Sequence, residues 1–381
     1  MRLDINAVAV AISFMANLVF ALNITQNTVE IATGNLNISD IIIPSGLYLS
    51  VLNSPMISLL GIVQNSGELF VTSTENLLTS VKMTGVTFDN HDTAVFRSSS
   101  NTYRSYFRLQ LKNYFLNRGK MLFSVPKAQM GGVEYSIISE ISWTNLGTIV
   151  FECLSDTMAY LIIYRTVDSA ESSSVLNDGS ICLLNTMWDS MTKVNGDGCI
   201  NVGTGSELRL LTNFLASSSP QTIYLLASDS KLKVSGSLSR TDIPELRVEG
   251  FGGGNQITFY IPEVDIDYFY SPKEGSVSIK VSRDLKLVFH IGKGYDSTKF
   301  SWNVDGMGGH LSYSDTLSRE IPKECRCDAA FPEAPTTVLP SPSSSAYSSY
   351  SWNNVSTSTF SNTGTSSGSA IITSNASESA A

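Results

Sequence analysis

Three acidic residues at alternate positions are the strongest candidates for chemistry in this sequence: Glu263, Asp265 and Asp267. Alternate residues of a strand point to the same side, so these carboxylates would share one face. A pair of carboxylates can cleave a glycosidic bond by acid–base chemistry, and a carboxylate cluster can hold Ca²⁺. They lie after the repeats described below, in a segment predicted to cap the end of the repeat array. We therefore predict no catalytic site, no metal site and no cofactor here.

The other residues that could exchange protons are scattered. Asp89 and Asp92 flank a predicted turn, where aspartate is common for local backbone reasons. No Ser–His–Asp or Cys–His arrangement is evident, and the histidines do not have the spacing of metal ligands; they are His91, His290 and His310. These patterns predict that the chain is not an enzyme.

The first 21 residues have the pattern of a secretory signal peptide. Arg2 supplies a positive start, residues 7–20 are mostly apolar, and Val19-Phe20-Ala21 is a small-residue cleavage site. Cleavage after Ala21 would deliver the mature chain to an oxidising compartment. No later apolar run has the length of a membrane span, so we expect a secreted chain without one.

We therefore expect some of the five cysteines to form disulfides. They are Cys153, Cys182, Cys199, Cys325 and Cys327. A bond between Cys325 and Cys327 would close a strained ring, because only one residue separates them. We expect each to pair with Cys182 or Cys199, which would fasten the C-terminal segment to the preceding repeats. The connectivity stays open at this point. Cys153 would remain as a buried thiol.

The chain contains a repeated sequence motif: an asparagine, one intervening residue, a glycine and an apolar run. The asparagines stand at 65, 90, 117, 145 and 177, so successive steps are 25, 27, 28 and 32 residues long. The copy at Asn90 has Asp92 where the others have glycine. Such a period is typical of a solenoid. We interpret Asn-x-Gly as a corner that uses a positive φ, followed by a strand with one buried face.

One corner and a few short strands per repeat predict an all-β fold, a right-handed parallel β-helix or β-solenoid. We place it at residues 22–245. The Gly-rich stretch 250–254 leads into a strand rather than a helix, which argues against a phosphate-binding loop. A hairpin at 277–291 belongs to a small antiparallel β-sandwich at 246–331, which would cap the exposed end. Residues 332–381 are rich in Ser and Thr and predict a disordered, glycosylated stalk.

One strand pattern suggests a contact surface. From residue 106 to 115 the apolar and polar residues alternate, and the polar side is basic and aromatic. The alternative interpretation is an ordinary solvated face of the β-helix. We call these residues the contact face: Arg104, Tyr106, Arg108, Lys112 and Tyr114.

Four sequons mark candidate sites of N-glycosylation, which indicates surface positions in a secreted chain. They begin at Asn23, Asn37, Asn354 and Asn375. The net charge of −9 argues against a nucleic-acid partner, since binding phosphates requires a positive surface.

Several motifs resemble a known family. They are Gly179-Ser180-Ile181-Cys182-Leu183, Gly198-Cys199, the run from Val248 to Ile257, the run from Phe289 to Phe300, and the closing Pro322-Lys323-Glu324-Cys325-Arg326-Cys327 with Pro332-Glu333-Ala334-Pro335. Together they resemble the N-terminal domain of the hyphally regulated cell-wall proteins of yeasts, over residues 30–335. The resemblance implies a β-helix with a small β-sandwich, displayed at the fungal cell surface as an adhesin-like module. Cys153 is not part of that pattern.

Members of the family are typically attached to wall glucan through a remnant GPI anchor. This sequence ends in Ser379-Ala380-Ala381 without a hydrophobic tail. We therefore expect either a truncated copy or a chain that is secreted without an anchor.

The sequence as a whole predicts a secreted fungal cell-wall glycoprotein whose rigid β-helix contacts wall glycans or the surfaces of host or partner cells. Many weak contacts from many copies would supply its avidity. Two alternatives stay open: a structural wall component without an adhesive role, and an enzyme that processes wall polysaccharides. If Glu263, Asp265 and Asp267 faced a groove of the solenoid, the enzyme would be favoured.

Overall fold

A computed structural model describes most of the chain. The described residues are 20–74, 76–100, 104–126, 133–154, 156–166, 174–215, 218–236, 245–260, 267–280, 286–305, 308–317, 320–327 and 330–337. Most of the predicted signal peptide and residues 338–381 of the predicted stalk lie outside them. None of the described helices has the length and apolar character needed to cross a membrane.

The described residues form strands joined by short turns. In chain order the strands are β1 (Phe20–Asn23), β2 (Thr28–Ile31), β3 (Leu36–Ile43), β4 (Tyr48–Leu52), β5 (Met56–Leu59), β6 (Ile62–Asn65), β7 (Glu68–Thr72), β8 (Ser80–Met83), β9 (Thr87–Asn90), β10 (Thr93–Arg97), β11 (Tyr106–Leu111), β12 (Tyr114–Asn117), β13 (Lys120–Val125), β14 (Glu134–Ser139), β15 (Ser142–Asn145), β16 (Thr148–Cys153), β17 (Ala159–Arg165), β18 (Ser174–Asn177), β19 (Ser180–Leu184), β20 (Thr186–Ser190), β21 (Lys193–Asn195), β22 (Cys199–Val202), β23 (Glu207–Leu211), β24 (Ser218–Leu225), β25 (Lys231–Ser235), β26 (Glu245–Glu249), β27 (Gln256–Tyr260), β28 (Asp267–Ser271), β29 (Ser276–Lys280), β30 (Lys286–His290), β31 (Phe300–Asp305) and β32 (Gly308–Tyr313). Among the described residues, short 3-10 turns span Thr212–Phe214, Ser297–Lys299 and Lys323–Cys325.

Parallel stacking of these strands builds a β-solenoid, as predicted. Sheet 1 contains β2, β4, β7, β10, β13, β16, β19, β22, β24 and β26 in that order. Sheet 2 has two columns: β5, β8, β11, β14, β17, β20, β23, β25 and β27, and beside them β6, β9, β12, β15, β18 and β21. A typical coil therefore supplies one strand to sheet 1 and two to sheet 2.

The repeated asparagines end the strands of the second column and lie directly above one another. Asn65 is the register partner of Asn90, and this pairing continues through Asn117 and Asn145 to Asn177. Each side-chain amide donates to the Oδ1 of the next asparagine, at 2.7–2.8 Å, and all five side chains are fully buried. We call this row the asparagine ladder.

Both ends of the asparagine ladder are visible. At the C-terminal end, Asn177 donates to Oε1 of Gln221 at 2.8 Å. At the N-terminal end, Asn65 lies opposite Ile43, and its Oδ1 receives no hydrogen bond in the described part of the chain. The repeated asparagine is thus a structural residue that satisfies its buried amide through its neighbours in the stack.

The prediction that the Asn-x-Gly corner uses a positive φ is wrong. Neither the ladder asparagines nor their glycines are among the described residues with a positive φ. Instead, a Cβ at Gly119 would overlap the carbonyl oxygen of Asp92, and one at Gly147 would overlap that of Gly119. Glycine is required because consecutive coils approach closely at this corner, which is a different use of the missing side chain.

Inside the solenoid, aromatic residues stack in columns. Phe96, Phe123 and Phe151 come from successive strands of sheet 1, with ring centroids 5.0 and 5.1 Å apart. Across the core, Phe115 of sheet 2 stacks on Trp143 at 4.9 Å. These side chains are at most 1% exposed. The core is therefore a continuous row that fixes the register of the coils.

From β4 to β24, sheet 1 is buried on both faces, which corrects the prediction of a single buried face after each corner. Its inward residues belong to the core, while the opposite face carries a second buried column. The members of this column are Ser50, Phe70, Val95, Leu122, Val150, Cys182, Asn201 and Tyr224. The apolar runs after the corners are in fact continuous rather than alternating, as expected for a strand covered on both sides.

The cover of sheet 1 includes the segment that carries the last two cysteines. We call the described residues 320–327 and 330–337 the strap. Its disulfides join Cys327 to Cys182 and Cys325 to Cys199. Cys153 is buried and lies outside both disulfides.

The strap runs back towards the first coils. The hydroxyl of Ser50, in β4, donates to the carbonyl oxygen of Pro335 at 2.7 Å. Between these points, Arg97 of β10 forms a 3.1 Å ion pair with Glu333. The last described residues of the strap therefore lie beside the N-terminal coils.

At the other end, antiparallel strands continue both sheets. Sheet 1 gains β30, β29 and β28, so the predicted hairpin at 277–291 is present, although the residues of its turn lie outside the described ranges. Sheet 2 gains β32 and β31. Parallel pairing joins β25 to β27 and β26 to β30, and the other pairs formed by these end strands are antiparallel. The end strands share the solenoid core. The boundary at 245/246 and a separate sandwich stay predictions.

Candidate contact surface

The contact face lies on the outer side of sheet 2, within one coil. In β11 the inward residues Phe107 and Leu109 are fully buried, so Tyr106 and Arg108 point outwards. Lys112 is exposed in the turn that follows, and Tyr114 begins β12. The alternation in the sequence therefore placed these side chains correctly.

The two arginines of the contact face share one carboxylate of the next coil, that of Glu134. Arg108 forms a 2.8 Å ion pair with Glu134, and Arg104 approaches the same carboxylate at 3.5 Å. The guanidinium of Arg108 also lies 5.0 Å from the centre of the Tyr106 ring, in cation–π geometry. The surface is consequently mixed in charge and its arginines are held in place, whereas the sequence suggested a basic stripe.

A second group of aromatic and charged residues continues the same outer side of sheet 2. Tyr160 donates a 2.7 Å hydrogen bond to Asp189, and this bond, with burial as a second cause, raises the pKa of the Tyr160 hydroxyl. Arg209 lies 3.7 Å from Asp189 and 2.6 Å from Glu207. The side chains are thus ordered by one another rather than by the core.

The last coil repeats the combination of an aromatic ring and a cation. The ammonium group of Lys233 lies 4.1 Å from the centre of the Tyr260 ring. Sequence reasoning did not find these further residues, because the contacts between coils join positions 20 to 29 residues apart. The 28-residue step from Asn117 to Asn145 could have found Glu134, since the same step separates Glu134 from its register partner Tyr106. That signal could not have placed Tyr160, which lies 26 residues after Glu134 while the asparagines advance by 32.

Two sequon asparagines share this side of the molecule. Asn37 begins a row of register partners that continues through Ser58 and Lys82 to Arg108. Three strand spacings of about 4.8 Å separate Asn37 from Arg108, roughly 14 Å in all. Asn23 is exposed in β1. Asn354 and Asn375 lie outside the described residues, and glycosylation at all four stays a prediction.

The acidic candidates for catalysis are not assembled into a site in the described part of the chain. Asp267 is exposed in β28, and Glu263 and Asp265 lie outside the described residues. Across the described ranges, no three His, Cys, Asp or Glu side chains come together as metal ligands would.

The histidines have separate surroundings. His91 forms a 2.9 Å contact with Asp89 at a corner, and His290 lies 3.1 Å from Glu245. His310 is 3.3 Å from the hydroxyl of Thr258. They belong to different coils, so these residues do not form one acid–base arrangement.

The fold and the surface define a class: a disulfide-fastened β-solenoid with a mixed aromatic and charged outer side. The family described as "Hyphally regulated cell wall protein N-terminal" matches residues 12–335. The chain belongs to this family, which places it among secreted fungal cell-wall proteins.

Three relatives from Candida albicans (strain SC5314 / ATCC MYA-2876) illustrate the similarity. Cell wall protein IFF9 is 28% identical over 351 residues, cell wall protein RBR3 is 31% identical over 346, and hyphally regulated cell wall protein 4 is 29% identical over 335. The matches cover 87%, 85% and 83% of this chain but 36%, 21% and 26% of the relatives. The chain therefore spans about a fifth to a third of their length.

Proposed function

We propose that the chain is a non-enzymatic, adhesin-like module that presents a rigid β-solenoid at the fungal surface. The observation that carries this proposal is the outer side of sheet 2, where the partly exposed Tyr106 and Tyr160 are held beside charged side chains, with one coil between them. An adhesive surface needs groups that are ordered before binding, because ordering them on contact would cost affinity.

The chemistry of this surface suits wall glycans or the glycoconjugates of other cells. A tyrosine ring offers an apolar face to a sugar ring, and the neighbouring arginine, aspartate and glutamate side chains exchange hydrogen bonds with its hydroxyl groups. Such contacts are weak individually. Several coils on each molecule and many molecules on each cell multiply them.

The test is retention of the secreted full chain on insoluble wall glucans and mannans. We expect the chain to be retained without release of soluble sugar. Release of product would support the enzyme instead, and neither retention nor release would favour a structural role. Binding to intact fungal and host cells would then separate wall glycans from partner-cell surfaces.

Matched variants locate the surface. Tyr106→Ala and Tyr160→Ala should each weaken retention roughly fivefold to tenfold, which corresponds to about 1 kcal/mol for a ring contact. Leu154→Ala provides the control, since Leu154 is 60% exposed but belongs to neither group. Equal retention by all three variants would remove the contact face from the proposal.

A further inference from the structure

The C-terminal end of the solenoid exposes two strand edges. Within the described residues, β28 pairs only with β29 and β31 pairs only with β32, so each has one open side. We call this end the tip. An open edge presents unpaired backbone N–H and C=O groups and is a template for another strand.

The β28 edge lacks the usual protection against such pairing. Its sequence is Asp-Tyr-Phe-Tyr-Ser, with a single charge at one end and neither lysine nor proline. Phe269 at its centre is 67% exposed. The neighbouring tyrosines are fixed by the opposite sheet: the ring of Tyr268 lies 5.5 Å from that of Trp302, and Tyr270 lies 5.2 Å from Phe300. The two tyrosines of this edge are therefore packed against the opposite sheet, and the exposed centre of the strand is the apolar ring of Phe269.

The N-terminal end is different. Its edge strand β2 contains Glu30, and its edge strand β1 contains the sequon residue Asn23. The strap also brings the chain back to β4 at this end. The last described part of the strap, at Pro335, therefore lies at the end of the solenoid opposite the tip.

We propose that the tip binds the tip of a second copy of this chain, with β28 pairing antiparallel to β28 of the partner copy about Phe269. The strand is complementary to itself in this register. Phe269 meets its own counterpart, Tyr268 meets Tyr270, and Asp267 meets Ser271, so no two like charges are opposed. The arrangement is a two-fold, isologous contact made by backbone hydrogen bonds and an aromatic pair.

This contact is small, because one five-residue strand carries it. A single pair should therefore be short-lived, and cohesion between surfaces would come from many copies acting together. The inference goes beyond the proposed function, since it concerns homophilic binding between two copies of this chain and needs no glycan.

Beads coated with the full secreted chain provide the test. We expect them to aggregate, and expect F269D or F269K beads to stay dispersed, because like charges would then face each other across the two-fold axis. Mixed F269D and F269K beads should aggregate again, since opposite charges now meet. L154D is the control: it places the same charge at a similarly exposed apolar residue away from the tip, and should leave aggregation intact.

Three results would overturn the proposal. Dispersed beads with the unchanged chain would show that no self-recognition exists. Failure of the mixed beads to aggregate, with both variants secreted and showing the far-ultraviolet spectrum of the parent, would exclude the β28 register. Loss of aggregation in V304D but not in F269D would transfer the contact to β31. Soluble mannan should not inhibit aggregation, which separates this contact from glycan binding.

Discussion

At the scale of single residues, the asparagine ladder joins sequence to fold most directly. Asn117 accepts a hydrogen bond from Asn90 at 2.8 Å and donates one to Asn145 at 2.8 Å, with no exposure to solvent. A buried amide that loses its partner keeps the cost of desolvation without the compensating bond. The ladder therefore makes each repeat depend on the repeats on both sides.

Asn117→Ala should lower the free energy of unfolding by about 2–4 kcal/mol, because it breaks two buried hydrogen bonds and leaves a cavity. Urea unfolding measures the change. Asn303→Ala, at an exposed residue of β31, is the control and should stay within about 0.5 kcal/mol of the parent. An equal effect of the two changes would show that the ladder contributes nothing to stability.

Gly147→Ala tests the close approach of the coils. The added methyl group would overlap the carbonyl oxygen of Gly119, so we expect a loss of about 1–3 kcal/mol in unfolding experiments. Gly34→Ala introduces the same group where nothing lies within 4 Å and should be neutral or slightly stabilising. A neutral Gly147→Ala would contradict the argument from close approach.

At the scale of elements, the strands following the corners show what the sequence could predict and what it could not. The asparagine steps predicted stacked coils, and the alternation of β11 predicted which of its side chains face outwards. Phe70 and Val95 were expected on a strand with one exposed face, yet they are covered. On the same face of sheet 1, Ser50 and Arg97 contact strap residues more than two hundred positions away, and local sequence patterns do not predict such contacts.

The same limit applies to the candidate surface. Arg108 could be placed from the period of its own strand, but its partner Glu134 belongs to another coil. Loops of different length separate the coils, so the register becomes certain only when all the corners are aligned. The sequence alone therefore predicted that Arg108 faces outwards but not that it pairs with Glu134.

The stacking of strands in sheet 1 also makes the stability of the folded protein depend on pH. Burial raises the pKa of Glu68, at the start of β7, above its usual value of 4.5, and nearby Asp92 adds to the effect. The folded protein then binds this proton more tightly than the unfolded chain. The contribution of Glu68 to the free energy of unfolding is therefore greatest at low pH, and it declines as the pH rises from about 4.5 through the raised pKa.

Glu68→Gln should thus stabilise the protein at pH 7, by less than about 1 kcal/mol because the side chain is partly exposed. At pH 4 the gain should disappear. Thermal unfolding across this range measures the difference, with Glu140→Gln as an exposed control. A gain that is constant with pH would show that the carboxyl group's proton is not responsible.

At the scale of the whole molecule, the strap connects coils that are far apart in sequence. Its disulfides close loops with separations of 145 and 126 residues, and its other contacts reach β10 and β4. A covalent connection across such a distance restricts the unfolded chain more than it alters the native one. Most of the solenoid should therefore owe part of its stability to this segment.

Removing one bond, as Cys199→Ala together with Cys325→Ala, should lower the free energy of unfolding by about 2–5 kcal/mol. Hydrogen exchange in β10 and β13 should rise as the strap loosens from the buried outer column. Glu333→Gln removes only the surface ion pair with Arg97 and should cost less than about 1 kcal/mol. Unchanged exchange in the double variant would show that the strap is not needed to protect sheet 1.

The path of the strap also decides how the molecule carries a mechanical load. A pulling force applied at residue 337 would enter beside β4, detach the strap as far as Cys327, and then load the disulfide between Cys327 and Cys182. Few hydrogen bonds need to break before that point. The extra length released in this way would let neighbouring molecules share the force instead of failing one after another.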